Sequence, residues 1–129
     1  MTLSTIGKPE NRLPEAMWLT FAPDAPQASG WLLEKSRQPI RIADVVRGGN
    51  RNMHSIAENI RYADPSGTFD LSTLDAPVVA LGQRSPLNFS LDLPVLTSGV
   101  HINLFNNAWG TNYPQWCGGS WLYRFTLRA

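Results

Sequence analysis

Proline or glycine interrupts this chain so often that no long helix fits between the interruptions. Ten of each are spread through 129 residues. Proline removes a backbone donor and glycine weakens a helix. Between these breaks the apolar residues recur at every second position, the period of a strand with one buried face. The pattern predicts an all-β domain.

The alternation can be followed segment by segment. Residues 15–21 place Met17, Leu19 and Phe21 on one side and Trp18 on the other, and Phe21-Ala-Pro-Asp-Ala-Pro ends the run. Residues 30–35 form a short second candidate. Residues 40–46 read either as a strand or as one helical turn before Gly48-Gly49. Residues 55–62 put Ile56, Ile60 and Tyr62 on one face, with Glu58 interrupting it. Asp64-Pro65-Ser66-Gly67 has the residue order of a β-turn. Residues 69–74 and 78–81 follow as strands. Val100, Ile102 and Leu104 alternate with His101, Asn103 and Phe105. Trp121, Tyr123, Phe125 and Leu127 alternate with Leu122, Arg124, Thr126 and Arg128, which predicts an apolar row inward and a polar, basic row outward. Residues 1–14 are expected as an extended arm and residues 15–129 as a single domain. Six to eight short strands with Pro/Gly turns predict an antiparallel β-sandwich, with a jelly roll or barrel as the alternative.

Composition narrows the function classes. The hydrophobic fraction of 43% suits one ordinary core. The net charge is +1 with no basic stripe, so nucleic acid is not an expected partner. No apolar run approaches the roughly 20 residues of a membrane helix, so no membrane partner is expected. The first residues lack the charged start and apolar stretch of a secretory signal. Cys117 is the sole cysteine, which precludes an intrachain disulfide or a cysteine metal cluster and predicts a reducing, cytoplasmic location. The two histidines, His54 and His101, have no carboxylate at metal-ligand spacing. HxH, HExxH and CxxC patterns are absent, so neither metal nor cofactor is expected.

The catalytic candidates are His54, His101 and Glu58. His101 sits on a strand, where it is either a half-buried ring bonded to a backbone carbonyl or a sugar ligand or general acid. Glu58 is the acidic residue that turn chemistry explains least, with Arg61, Arg124 or His54 as possible partners. In the polar loop Gly48-Gly49-Asn50-Arg51-Asn52-Met53-His54, Arg51 offers a planar donor fork for a carboxylate or a ligand. No GxSxG is present, and Cys117 reads as an incidental thiol. The richest stretch is residues 99–128. Asn103, Asn106, Asn107 and Asn112 can give and take hydrogen bonds with sugar hydroxyls, and Trp109 and Trp116 offer flat apolar faces to a pyranose. The same residues could equally be packing and loop-tying groups.

The run NLFNNAWGTNYPQW, preceded by GVHI and followed by YRFTLR, resembles the C-terminal end of uncharacterised proteins related to glycoside hydrolase family 38, the α-mannosidase type. The resemblance continues through LPEAMWLTFAP, GGNRNMHSI and LDAPVVALGQRS in the same order, so it spans the chain from Leu13 onward. It implies a galactose-mutarotase-like β-sandwich, with metal site and catalytic acids in an N-terminal α/β barrel to which nothing here corresponds. Cys117-Gly118-Gly119 departs from the aromatic and acidic residues expected after Trp116. A chain holding only this last part is a split gene product, a fragment or an independent module.

Three functions follow as expectations. The first is a non-catalytic domain with a structural or interaction role, joined to a partner catalytic domain or forming a homo-oligomer. The second is a carbohydrate-binding module with Arg51, Asn103, Asn107, Trp109, Asn112 and Trp116 as its ligand-binding set. The third is a small mutarotase- or epimerase-like enzyme using His54 or His101 with Glu58.

Overall fold

The computed structural model describes residues 1–87, 89–108 and 116–129. In these residues ten strands are connected by turns and three short 3-10 turns: β1 Thr2–Lys8, β2 Ala16–Phe21, β3 Trp31–Lys35, β4 Gln38–Ile40, β5 Met53–Ser55, β6 Asn59–Asp64, β7 Gly67–Thr73, β8 Val78–Leu81, β9 Val100–Asn106 and β10 Gly119–Arg128. They form two antiparallel sheets, one in the order β1-β10-β7-β6-β3-β4 and the other β2-β9-β8-β5. The sheets stack as a sandwich rather than closing into a barrel, and each keeps two free edges.

Aromatic side chains join the layers. Phe21 of the four-stranded sheet meets Phe125 of the six-stranded sheet at 6.2 Å between ring centres, and Phe105 meets Trp121 at 5.5 Å. The Tyr123 hydroxyl donates to the Leu104 carbonyl at 2.8 Å, so that core tyrosine satisfies its polar atom across the sandwich. Ile60, Leu71, Val79, Leu81, Val100 and Ile102 are fully buried between the sheets.

The edges are blunted. β5 and β4 are three residues each, and Pro39 lies in β4, at the edge where its missing donor costs no ladder bond. Residues 2–8, expected as an arm, are β1. They pair with β10 from Thr2 opposite Arg124 to Lys8 opposite Gly119, with an irregularity between Thr5 and Lys8.

Other expectations need correction. Residues 55–62 are not one strand. Ser55 ends β5 in the four-stranded sheet, and Asn59 begins β6 in the six-stranded sheet. The three residues between them cross over: the Ile56 amide donates to the Pro77 carbonyl at 2.9 Å and the Ala57 amide to the Glu34 carbonyl at 2.8 Å. Of the two readings for residues 40–46, the helical turn is present, a 3-10 turn over Ile42–Asp44. On β10, Tyr123 and Phe125 are buried as expected, but Leu127 is exposed although it opposes the fully buried Leu71. In β9 the alternation breaks at Leu104: Phe105 opposes Met17, while Asn103 opposes the adjacent Trp18. Leu104 is thus the extra residue of a bulge.

Candidate functional site

The register of the four-stranded sheet separates the two histidines. His54 opposes Val79, and Val79 opposes Ile102. Directly opposed residues share a face, so His54 points with Val79 and Ile102 into the core. Ala80 opposes His101, and His101 opposes Thr20, which places His101 on the outer face. The two imidazoles therefore cannot act on one substrate atom. Glu58 belongs to neither face. It is exposed at the crossover, where its carbonyl accepts from the Thr73 amide. None of its expected partners pairs with it. Arg61 forks onto Asp70, Arg124 onto Asp75, and His54 bonds the Arg51 carbonyl at 3.1 Å.

Both histidines are more enclosed than a half-buried strand residue. His101 is only 5% exposed and shares a 2.9 Å hydrogen bond between its Nδ1 and Thr20 Oγ1. Burial lowers both imidazole pKa values below their ordinary range. A backbone bond partly offsets this in each case, at Arg51 for His54 and at Gly82 for His101, while the positive charges of Lys35 and Arg84 lower them further. Lys35 Nζ donates to the Ser55 carbonyl at 2.9 Å and ties the two sheets together. Arg51 pairs with no carboxylate among the described residues. It works through its backbone, its amide donating to the Ser90 carbonyl at 2.8 Å.

The asparagines of the terminal stretch hold the framework. Asn103 Nδ2 donates to the carbonyls of Met17 and Phe105 at 3.4 and 3.2 Å, across the bulge. Asn107 anchors the segment that follows β1: its Oδ1 accepts from the Glu15 amide at 2.6 Å and its Nδ2 donates to the carbonyls of Asn11 and Leu13, each at 3.2 Å. Lys8 closes the same corner with an ion pair to Glu15, a 3.3 Å bond to the Cys117 carbonyl and a position 4.7 Å from the centre of the Phe105 ring. Amides committed to backbone in this way are not available to a ligand. Trp109 and Asn112 lie outside the described residues. Trp116 differs from the asparagines: it is 42% exposed, Arg12 stacks 4.3 Å from its ring centre, and the two line a recess of about 260 Å³ with Glu10 and Asn11. Cys117 is free and exposed.

Sequence reasoning missed a second feature. Leu87, Phe89, Leu91, Leu93 and Val95 are all exposed, between 46% and 70%, in a segment with no strand pairing. The segment is fixed rather than loose at its base. Ser85 accepts from Asn52 Nδ2 at 3.1 Å, and Ser90 accepts from the Arg51 amide. Leu93 and Leu96 also line an apolar pocket of about 360 Å³ with Ala28 and Ile42. The period-2 row was visible in the sequence, but without strand boundaries it carried no face assignment. No group of three or more His, Cys, Asp or Glu positioned for a metal occurs among the described residues, and no described helix is long and apolar enough to cross a membrane.

No protein-family model matches the chain, and neither a curated protein nor a solved structure matches it.

Proposed function

We propose that this chain is a non-catalytic β-sandwich domain with an interaction role, docking against another folded domain as the C-terminal part of a glycoside-hydrolase-like, α-mannosidase-type protein would. The observation that carries this reading is the row Leu87, Phe89, Leu91, Leu93 and Val95. Five large apolar side chains left in water at alternate positions are an unusual surface for an isolated domain and suit a covered interface. The dispersal of His54, His101 and Glu58 supports the non-catalytic part. A free, exposed Cys117 fits a reducing, cytoplasmic setting. Light scattering and binding of an apolar fluorescent dye test the reading together. Wild type is expected to self-associate or bind the dye, and Leu87→Ser/Phe89→Ser/Leu91→Ser to do neither. A wild-type chain that stays monomeric and dye-free sinks it.

A second reading is supported by the exposed Trp116 ring. A carbohydrate-binding role would centre on Trp116 and Arg12 rather than on Asn103 and Asn107, whose amides hold backbone. Titration calorimetry with mannosides, galactosides and glucosides is expected to give heat that Trp116→Ala removes. No heat with any of them ends this reading.

A further inference from the structure

The outer face of the six-stranded sheet carries a recess of about 290 Å³ that neither reading uses. Strand register builds it in two rows. In the first, Leu32 opposes Arg61, Arg61 opposes Asp70, and Asp70 opposes Arg128. In the second, Pro39 opposes Glu34, and Asn59 opposes Ser72. Both rows line the recess, together with Arg37 from the turn between β3 and β4.

The two rows offer different chemistry. Ser72 Oγ donates to Asn59 Oδ1 at 2.6 Å, and Asn59 Nδ2 donates to the Glu34 carboxylate. This relay runs in one direction and ends on a carboxylate, which still has lone pairs for hydroxyl donors. In the other row Arg61 is neutralised by its fork onto Asp70, at 2.6 and 3.2 Å. Arg37 and Arg128 have no ion pair among the described residues. Three guanidiniums against two carboxylates leave the recess with an excess of positive charge. Leu32 and Pro39 supply apolar surface beside it.

Arg37 is held there against local preference. Lys35 opposes Gln38, so Ser36 and Arg37 form a two-residue hairpin turn, and both have positive φ, 50° and 64°. Such turns favour Asn-Gly, because a side chain in the left-handed region costs roughly 1 kcal/mol or more. Strained residues of this kind gather at ligand sites, and here the strain places a guanidinium at the rim of the recess.

We propose that this recess binds an anionic sugar: a single ring whose carboxylate or phosphate is taken by Arg37 and Arg128, whose hydroxyls donate to Glu34, and whose C–H face lies against Leu32 and Pro39. The volume is at the small end of ligand pockets and suits one ring. Guanidinium forks match both anions.

Titration calorimetry on the full chain with D-glucuronate, glucose 6-phosphate, D-glucose and inorganic phosphate tests it. At least one anionic sugar is expected to bind about tenfold more tightly than either glucose or inorganic phosphate, and which of the two does so identifies the anion. Arg37→Gly separates binding from folding. It relaxes the turn, so the melting temperature should rise while affinity falls about tenfold. Arg128→Ala should weaken binding to a similar degree, whereas the Leu87/Phe89/Leu91 serine variant should leave it unchanged. No binding at millimolar ligand, inorganic phosphate binding as well as the sugars, or full affinity in both arginine variants overturns the proposal.

Discussion

His54 and His101 sit on the same sheet, one facing the core and the other the outer side, yet burial shifts both in the same direction. In the unfolded chain each imidazole takes up a proton as pH falls through about 6.5. In the fold each resists protonation to a lower pH, so the unfolded state binds more protons in between. Stability is therefore full above that pH and is lost as pH falls toward the folded values. Urea midpoints are expected to be lower at pH 5 than at pH 7.5, with a smaller drop in His54→Gln and in His101→Gln. An identical drop in wild type and both variants would show that neither ring carries the linkage. Asp75, held below the usual carboxylate range by its bond to Arg124, adds its own loss only below about pH 4. The residue types marked these histidines as candidates, but burial and face decide their role; strand register sets the face, and both rings are buried whichever face they are on. The same holds for Asn103 and Asn107. An asparagine that ties backbone and one that meets a sugar are identical in sequence, and only the direction of the amide tells them apart.

Among the elements, β10 and β9 were legible because their apolar residues alternate and turn residues bound them. β2 and β7 were legible for the same reasons, and β8 as a short apolar run starting just after Pro77. The turn from β3 to β4 was not, because Ser36-Arg37 carries none of the glycine or asparagine that marks a two-residue hairpin. Replacing the pair with Asn-Gly is expected to stabilise the chain by about 1 kcal/mol in urea unfolding. No gain would mean that the turn is not strained. The crossover at residues 56–58 was hidden for a different reason. Ile56, Ile60 and Tyr62 keep one alternation although the chain changes sheets between them. Both sheets face the same core, so the hydrophobic period continues through a break in the ladder. Glu58, the one exposed residue of that alternation, was the visible mark of the crossing.

For the molecule as a whole, two layers predict a definite order of protection. Amides of β6, β7, β8 and β9 lie between neighbours on both sides, whereas β4 and β5 are short edges. Native-state hydrogen exchange should be slowest at Ile60, Leu71, Val79 and Ile102 and fastest at β4 and β5. Fast exchange throughout β9 would contradict the sandwich. The sheet order was not legible at all. Alternation tells which side of a strand is buried, but not which strand lies beside it. That gap matters most at β1. Its outward residues Thr2 and Ser4 and partly buried Leu3 give only a weak pattern, and its place is set by a partner more than a hundred residues away. β10 is wedged between β1 and β7, so β1 has no ladder neighbour until β10 is made more than a hundred residues later. From the making of β7 until then the domain carries two unpaired ladders, one on β1 and one on β7, and both close in the same late step.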